Sequence, residues 1–227
     1  MRNFGLQFGE RGVSRVLCLG AHCDDIEIGC GGTLLALLQS NPGISVHWVV
    51  FTSTPERKQE ARSSAQAFLA AAAQSTVVIH DFRDGFLPYL GAELKECFEA
   101  LKTEEPPDII FTHYRDDLHQ DHRLIAELTW NTFRNHLILE YEIPKYDGDF
   151  GRPNVFVPLD DESCQRKIEY VLRYYPSQRS RSWFSASVFS AMLRLRGMEA
   201  NAPSFQAEAF YGRKICLNFR DEIREKN

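Results

Sequence analysis

An apolar run that ends in a polar, glycine-rich turn constrains this chain more than any other feature. Residues 16–20 read VLCLG and are followed by His22, Asp24 and Asp25, and then by a helical pattern that opens with three glycines. A buried strand that leads into a helix places such polar residues at its carboxyl end, where parallel α/β sheets carry their chemistry. The stretch therefore predicts an α/β fold with a polar site after its first strand.

The rest of the chain alternates between strand-like and helical segments joined by short connections. This alternation predicts a Rossmann-like, three-layer α/β fold with a mainly parallel sheet and helices on both faces. Residues 143–153 hold too many turn formers for regular structure and predict a surface loop. No linker stands out, so residues 1–227 are expected to form a single domain. The predicted strands cover residues 15–20, 44–52, 76–80, 108–112, 136–142, 155–159 and 207–215, and the predicted helices 28–39, 56–74, 92–102, 119–135, 162–174 and 185–196.

Composition and charge exclude several classes of partner. Lys and Arg total 26 against 31 Asp and Glu, a net charge of −5, which argues against nucleic acid and anionic membranes, since both favour basic surfaces. The first fifteen residues lack the apolar core of a signal peptide, and the longest apolar run, residues 68–73, is too short to span a bilayer. None of the six cysteines is paired as CxxC, as expected in a reducing compartment. We therefore expect a cytoplasmic protein with no membrane span.

Histidines and aspartates concentrate in two short windows, each after a predicted strand. The first window holds His22, Asp24 and Asp25, and the second runs from His113 to His122. Polar residues crowd into loops anyway, so either window alone is weak evidence. Two imidazoles and one carboxylate with an open position for water form a common catalytic zinc site. Two such windows at two strand ends of one sheet therefore favour a metal centre.

Both windows resemble the motifs of a known family. His22-Cys23-Asp24-Asp25, with Ile26-Glu27 after it, resembles the AHPDD(E) motif of the PIG-L (LmbE-like) zinc-dependent N-deacetylases. His119-Gln120-Asp121-His122 resembles the H-x-D-H motif of that family. The resemblance runs from about residue 15 to residue 215. Its weaker parts are Arg57 and Glu60 (R-x-x-E), Asp84-Gly85, the segment 175–178 (YPSQ) and the segment 207–210 (AEAF).

The resemblance implies an enzyme that removes an N-acetyl group from an amino-sugar conjugate and releases acetate and a free amine. It implies that His22, Asp25 and His122 bind the metal, Zn²⁺ or another divalent ion such as Fe²⁺. It further implies that Asp24 is the general base and that a protonated His119 stabilises the oxyanion. The implied partner is a small N-acetylated sugar conjugate. Such relatives often assemble, so a homo-oligomer is compatible with the resemblance.

Five further residues are candidates for the site, and four of them also have a purely structural interpretation. Asp121 orients or charge-pairs one histidine, or else it caps the following helix. Arg83 and Asp84 are candidate sugar contacts, although turn chemistry explains them nearly as well. His113 and Asp116 are candidates for lining the site, although His113 could simply end a strand.

One departure from the family and two rival functions remain. Cys23 stands where the family usually has proline, and we expect the change to be silent; a Cys23 ligand would leave no open position for water.

The glycines 29, 31 and 32 have the spacing G-x-G-G, so close packing of the helix is expected instead of dinucleotide binding. The rival functions are a non-haem Fe(II) oxygenase-type site and a non-catalytic sugar-binding member of the same fold.

Overall fold

The computed structural model of the chain describes residues 12–216 and contains one seven-stranded sheet. The expectation about the N-terminal fifteen residues therefore lies outside the described residues for residues 1–11. The strands are β1 (Arg15–Gly20), β2 (Ser45–Thr52), β3 (Gln74–Phe82), β4 (Ile109–His113), β5 (Leu137–Tyr141), β6 (Val155–Pro158) and β7 (Ala207–Tyr211). The helices are α1 (Asp25–Ser40), α2 (Pro55–Phe68), α3 (Gly91–Lys102), α4 (Gln120–Thr132), α5 (Asp161–Tyr174) and α6 (Ala186–Ala200), with short 3-10 turns at Leu87–Leu90 and Pro176–Gln178.

The strand order is β3-β2-β1-β4-β5-β7-β6, and the first five strands pair in parallel. Strand β7 runs antiparallel to both β5 and β6 at one edge. The predicted mainly parallel α/β sheet is thus confirmed. No helix within residues 12–216 has the length and apolar character needed to cross a bilayer.

Helices cover both faces of the sheet, because the buried strand residues alternate between two cores. Val16 and Cys18 of β1 pack into a core built with α1, α2 and α5. Leu17 and Leu19 pack into a second core with α3 and α4. Burial on both faces explains why the central strands read as continuous apolar runs.

The chain reverses its direction across the sheet between β1 and β4. From β1 it proceeds outward to β2 and β3, and from β4 it proceeds the other way to β5. The carboxyl ends of β1 and β4 are therefore neighbours with diverging connections, which is where open α/β sheets form a crevice. Both polar windows begin at this point.

Several element ends differ from the prediction: α4 ends at Thr132 instead of residue 135, α6 at Ala200 instead of residue 196, and β7 at Tyr211 instead of residue 215. Helix α1 begins at Asp25 instead of residue 28, because the Asp24 carbonyl accepts the backbone N–H of Ile28 (3.0 Å) and the acidic Asp25 and Glu27 suit the positive end of the helix dipole. Helix α2 ends at Phe68 instead of residue 74. The alanine-rich segment after it leaves the helix because the backbone N–H of Ala73 donates to the Ile44 carbonyl (2.9 Å) and leads into β3. Tertiary contacts here override helix propensity.

Candidate active site

Three side chains that the motifs single out converge at the carboxyl ends of β1 and β4. The Nδ1 atom of His22 lies 3.0 Å from Nε2 of His122 and 3.2 Å from Oδ2 of Asp25. The third separation, from His122 Nε2 to Asp25 Oδ2, is 3.5 Å. Asp25 is held in this triangle by the backbone N–H of His22, which donates to Oδ2 (2.6 Å).

The triangle has the size of one face of a tetrahedral metal site. A zinc ion with ligands at about 2.0–2.1 Å keeps its ligand atoms about 3.3 Å apart. The three separations of 3.0, 3.2 and 3.5 Å match this value. Burial alone would raise the pKa of Asp25, but His122, His113 and His22 outweigh it and hold that pKa well below its ordinary value. The residues therefore fit a divalent metal.

Carboxylates fix the tautomer of His22. Its Nε2 atom lies 3.1 Å from Oδ1 of Asp84 and 3.3 Å from Oδ2 of Asp121. A carboxylate only accepts, so these contacts hold a proton on Nε2 and keep Nδ1 directed at Asp25 and His122. Burial lowers the pKa of His22, but Asp25 and the hydrogen bonds to Asp121 and Asp84 outweigh it and raise that pKa well above its ordinary value, so the metal-free ring also holds a proton on Nδ1, which a metal would displace.

Asp117 fixes the tautomer of His122 with the proton on Nδ1, whereas the carboxylates beside His22 hold its proton on Nε2. Nδ1 of His122 donates to Oδ2 of Asp117 (2.9 Å), which leaves the Nε2 lone pair facing the triangle. Burial, together with the neighbouring His113, lowers the pKa of His122 to about 3, so its ring is neutral at physiological pH. Asp117 has no role that could be assigned from the sequence alone. It lies among several aspartates of the second window, and only the fold shows which of them faces a histidine.

His113 supports the cluster from behind instead of facing a substrate. It is fully buried and stacks on His122 with ring centroids 3.9 Å apart. Its Nε2 atom accepts the backbone N–H of Ala21 (2.9 Å), which occupies the lone pair that a metal would need. One alternative metal set, Asp25, His113 and His122, whose ligand atoms also lie within 4.8 Å of one another, is therefore less suitable. Two further sets with such spacing add His119 to His22 and His122, or combine His22 with Asp84 and Asp121.

Asp24 lies beside the triangle but faces the cleft. Its Oδ1 atom accepts a hydrogen bond from Arg57 of α2 (2.7 Å), and its side chain makes no capping bond to α1. Burial raises the pKa of Asp24 even though Arg57 opposes the shift. The carboxylate is thus oriented, desolvated and free to take up a proton.

His119, and not Asp121, caps helix α4. Nδ1 of His119 accepts the backbone N–H of Asp121 (3.3 Å). Asp121 instead accepts the backbone N–H groups of Gly85 (2.7 Å) and Leu87 (3.2 Å), besides its contact with His22. Of its two predicted roles, capping is therefore wrong, and Asp121 contacts a histidine. Burial lowers the pKa of His119, which favours a neutral ring with its proton on Nε2.

A cleft of about 650 Å³ opens over the cluster. Arg83 and Asp84 line it, as do His22, Asp24, Asp25, His119 and His122. Two predicted contacts do not line it. His113 is buried beneath the cluster, and Asp116 is exposed outside the cleft, where the hydroxyl of Tyr114 donates to its carboxylate (3.1 Å).

Cys23 points away from the triangle. Its thiol donates to the Thr52 carbonyl (3.4 Å), and burial raises its pKa to about 12. Cys23 is absent from the groups of candidate ligands within residues 12–216. This placement fits a silent replacement of proline.

Comparison with known proteins agrees with this geometry. The PIG-L family profile, described as GlcNAc-PI de-N-acetylase, matches residues 17–133, just over half of the chain. The chain belongs to the PIG-L family. The resemblance seen in its motifs is thereby confirmed.

One sequence relative and two solved structures extend the comparison. The uncharacterized deacetylase YaiS of Escherichia coli K12 is 28% identical over 165 residues, covering 67% of this PIG-L chain and 86% of YaiS. The N,N'-diacetylchitobiose deacetylase of Pyrococcus horikoshii aligns with a TM-score of 0.65 and 20% identity, over 91% of this chain and 86% of that one. The 4-carboxy-2-hydroxymuconate hydratase GalB of Pseudomonas putida KT2440 aligns with a TM-score of 0.69 and 15% identity, over 92% and 99%. At these identities the two structures establish the fold alone.

Proposed function

We propose that this chain is a metal-dependent N-deacetylase that hydrolyses the acetamide of an N-acetylated amino-sugar conjugate. One observation carries the proposal: two histidines with carboxylate-fixed tautomers and one aspartate form a triangle of ligand size at the base of a cleft. His22, Asp25 and His122 would hold the ion, with zinc proposed first and Fe²⁺ as another candidate. A bound divalent ion polarises a carbonyl and acidifies water.

Asp24 is proposed as the general base. It takes up the proton of the attacking water and returns it to the departing amine nitrogen, as a positioned carboxylate can do. Arg57 holds the carboxylate in place through the 2.7 Å hydrogen bond, so that one oxygen remains directed at the cleft. The raised pKa of Asp24 makes it a better proton acceptor than an exposed aspartate.

His119 is proposed to donate a hydrogen bond to the oxygen that becomes negative during attack. The backbone bond to its Nδ1 leaves Nε2–H as the donor in a neutral ring. A neutral donor still stabilises an oxyanion in a desolvated cleft. Because the pKa of His119 is lowered, we propose the neutral form instead of the protonated form that the sequence analysis assumed.

The proposed substrate class rests on the family and on the cleft. The family is described by its action on GlcNAc-PI, and the Pyrococcus relative is named for N,N'-diacetylchitobiose. Arg83 and Asp84 at the cleft wall are the proposed contacts for sugar hydroxyls. The described residues offer no observation that favours an oxygenase or a non-catalytic role.

The test is acetate release from a panel of N-acetylglucosamine conjugates, with protein whose metal content has been measured. We expect zinc-loaded protein to release one acetate per free amine formed, and chelator-stripped protein to lose the activity and regain it with zinc. Oxygen consumption with iron and a keto acid would support the oxygenase alternative. Absence of acetate release from every glucosamine conjugate would contradict the proposal.

A further inference from the structure

One lysine joins the cleft wall to the histidine cluster. Lys145 belongs to the segment 143–153, which connects β5 to β6 without regular structure. Its ammonium lies 2.9 Å from Oδ2 of Asp117 and also forms an ion pair with Asp149. All three side chains are at most 10% exposed, so the charges meet in a largely desolvated place.

Asp117 is shared between this lysine and the cluster. The oxygen that contacts Lys145 is the same Oδ2 that accepts the proton of His122 Nδ1. The other oxygen, Oδ1, accepts the backbone N–H of His119 (2.8 Å). Movement of the Asp117 carboxylate would therefore disturb both the orientation of His122 and the segment that carries His119.

Asp149 completes the attachment of the segment. Its Oδ2 atom accepts the backbone N–H of Leu118 (2.7 Å) as well as the ammonium of Lys145. Two side chains of the segment 143–153 thus hold it to the second polar window: Lys145 contacts Asp117, and Asp149 contacts the backbone of Leu118. Tyr146 and Asp147, which follow Lys145, line the cleft together with it.

Removing the ammonium would leave two nearly buried carboxylates facing each other. Breaking a buried ion pair by removing one partner is costly, because the remaining charge is uncompensated. The repulsion between the two carboxylates would fall if Asp149 moved into solvent together with its segment, or if the Asp117 side chain rotated away from His122. The first would open the cleft wall, and the second would release a proposed metal ligand from its orientation.

We propose that Lys145 is a positioning residue that couples the cleft wall 143–153 to the metal-binding orientation of His122 through Asp117. The part of this inference that concerns substrate rests on the proposed function. The part that concerns metal affinity does not require any particular reaction.

The test measures zinc affinity by competition with a chromogenic chelator, in the absence of substrate, for the native chain and Lys145→Met. Outer partners of metal-bound histidines typically contribute about 10- to 100-fold to affinity. Lys145 acts one step further out, so we expect Lys145→Met to weaken zinc binding by about 10-fold and to raise KM. Lys145→Arg keeps the charge and should restore affinity to within about 3-fold.

Two further variants separate coupling from a general structural role. Asp149→Asn leaves Lys145 with Asp117, so it should raise KM while zinc affinity stays native. Lys95→Met removes a lysine of a surface ion pair on α3 and should change neither quantity. If Lys145→Met does not fold, Lys145→Gln is measured instead, because the glutamine amide can still donate a hydrogen bond to Asp117. For Lys145→Gln we expect a several-fold loss of zinc affinity.

Native zinc affinity in a folded Lys145→Met or Lys145→Gln would overturn the inference. So would failure of both to fold while Lys95→Met folds normally, because Lys145 would then be a general stability residue. Native protein that binds zinc but releases no acetate would contradict the proposed function and leave the coupling standing. Native protein with no affinity for zinc would overturn both.

Discussion

Each proposed ligand histidine depends on a carboxylate behind it. His22 has Asp121 and Asp84 at Nε2, and His122 has Asp117 at Nδ1. These contacts keep the opposite nitrogens directed at the triangle, so a metal would displace the proton from Nδ1 of His22 without any change at Nε2. The cluster is preorganised by residues that would not touch the ion.

Asp121→Asn should weaken metal binding by about 10- to 100-fold. The backbone N–H groups of Gly85 and Leu87 donate to different oxygens of Asp121, so the single accepting oxygen of an amide can keep only one of them, and the amide also lacks the charge that holds the proton on His22 Nε2. Zinc affinity from chelator competition measures the effect. The comparison variant is Asp116→Asn, an exposed aspartate outside the cleft, which should bind zinc as the native chain does. Native affinity in Asp121→Asn would contradict the role given to this carboxylate.

Cys23 should resist alkylation at neutral and mildly alkaline pH. Burial raises the pKa of its thiol to about 12, so the reactive thiolate becomes populated only as pH approaches that value. Mass spectrometry after iodoacetamide treatment at pH 8.5 should find Cys216, which is exposed, modified well before Cys23. Rapid modification of Cys23 in folded protein would show that its thiol is accessible near the site.

The motifs identified the three residues that form the triangle, because their spacing after two strands is a property of the sequence. They could not identify Asp117 or Lys145. Asp117 is one of several aspartates in its window, and Lys145 lies in a segment without periodicity, so only the fold brings them together. His113 was a candidate for lining the site, with the alternative that it simply ends a strand; it ends β4 and lies buried beneath the cluster.

At the scale of elements, α1 sets the position of Asp24 and Asp25. Its glycines let the helix lie directly on the sheet and on its neighbours. A Cβ atom on Gly29 would lie 2.2 Å from the ring of Tyr141, and one on Gly31 would lie 2.6 Å from the ring of Phe68. Close packing thus explains the glycines without a bound dinucleotide, as the sequence analysis expected.

Gly29→Ala should destabilise the protein by about 1–3 kcal/mol, as overpacking does. The ring of Tyr141 cannot move aside freely, because its hydroxyl donates to the Leu19 carbonyl (2.6 Å) within the sheet. The free energy of unfolding in urea gives the measurement. Gly43→Ala serves as the control, since a Cβ there meets nothing within 4 Å, and it should stay within about 0.5 kcal/mol. Helix propensity alone would make Gly29→Ala stabilising. A stabilised Gly29→Ala variant would therefore contradict the close packing of α1 against Tyr141.

Element types were predictable and some ends were not. Apolar runs and helical patterns gave every strand and α-helix its kind. The early start of α1 depends on the hydrogen bond from the backbone N–H of Ile28 to the Asp24 carbonyl, within a turn that reads as a polar loop. The early end of α2 depends on the hydrogen bond from Ala73 to the Ile44 carbonyl, and a contact so distant in sequence leaves no local pattern.

At the scale of the whole molecule, the site exists only where β1 and β4 lie side by side. The strand order reverses there, so two windows about ninety residues apart in sequence meet at one edge of the sheet. Strand–helix alternation predicted this meeting, because parallel strands place their carboxyl ends together. The reversed direction of β7 was not predictable from its pattern, since short strands read alike in either direction. That residues 1–227 form one domain and that the chain self-assembles stay predictions.

Metal binding should stabilise the whole fold, because the ligands come from both halves of the sheet. When the free zinc concentration is about 100-fold above Kd, binding at a single site raises the free energy of unfolding by about 2.7 kcal/mol. For a chain of this size that corresponds to a rise in Tm of roughly 5–10 °C. Thermal unfolding with zinc and with chelator measures the shift. Asp25→Asn should show little or no shift, whereas Asp116→Asn should show the native one. Equal shifts in all three proteins would place the zinc elsewhere.

Metal content and acetate turnover, measured together in His122→Ala and Asp24→Asn, test the account most directly. His122→Ala should lose both zinc and turnover, because it removes a ligand from the triangle. Asp24→Asn should retain zinc near one per chain, while turnover falls by roughly 100- to 10,000-fold with the loss of the base. Near-native turnover in Asp24→Asn, or native zinc content in His122→Ala, would contradict the account.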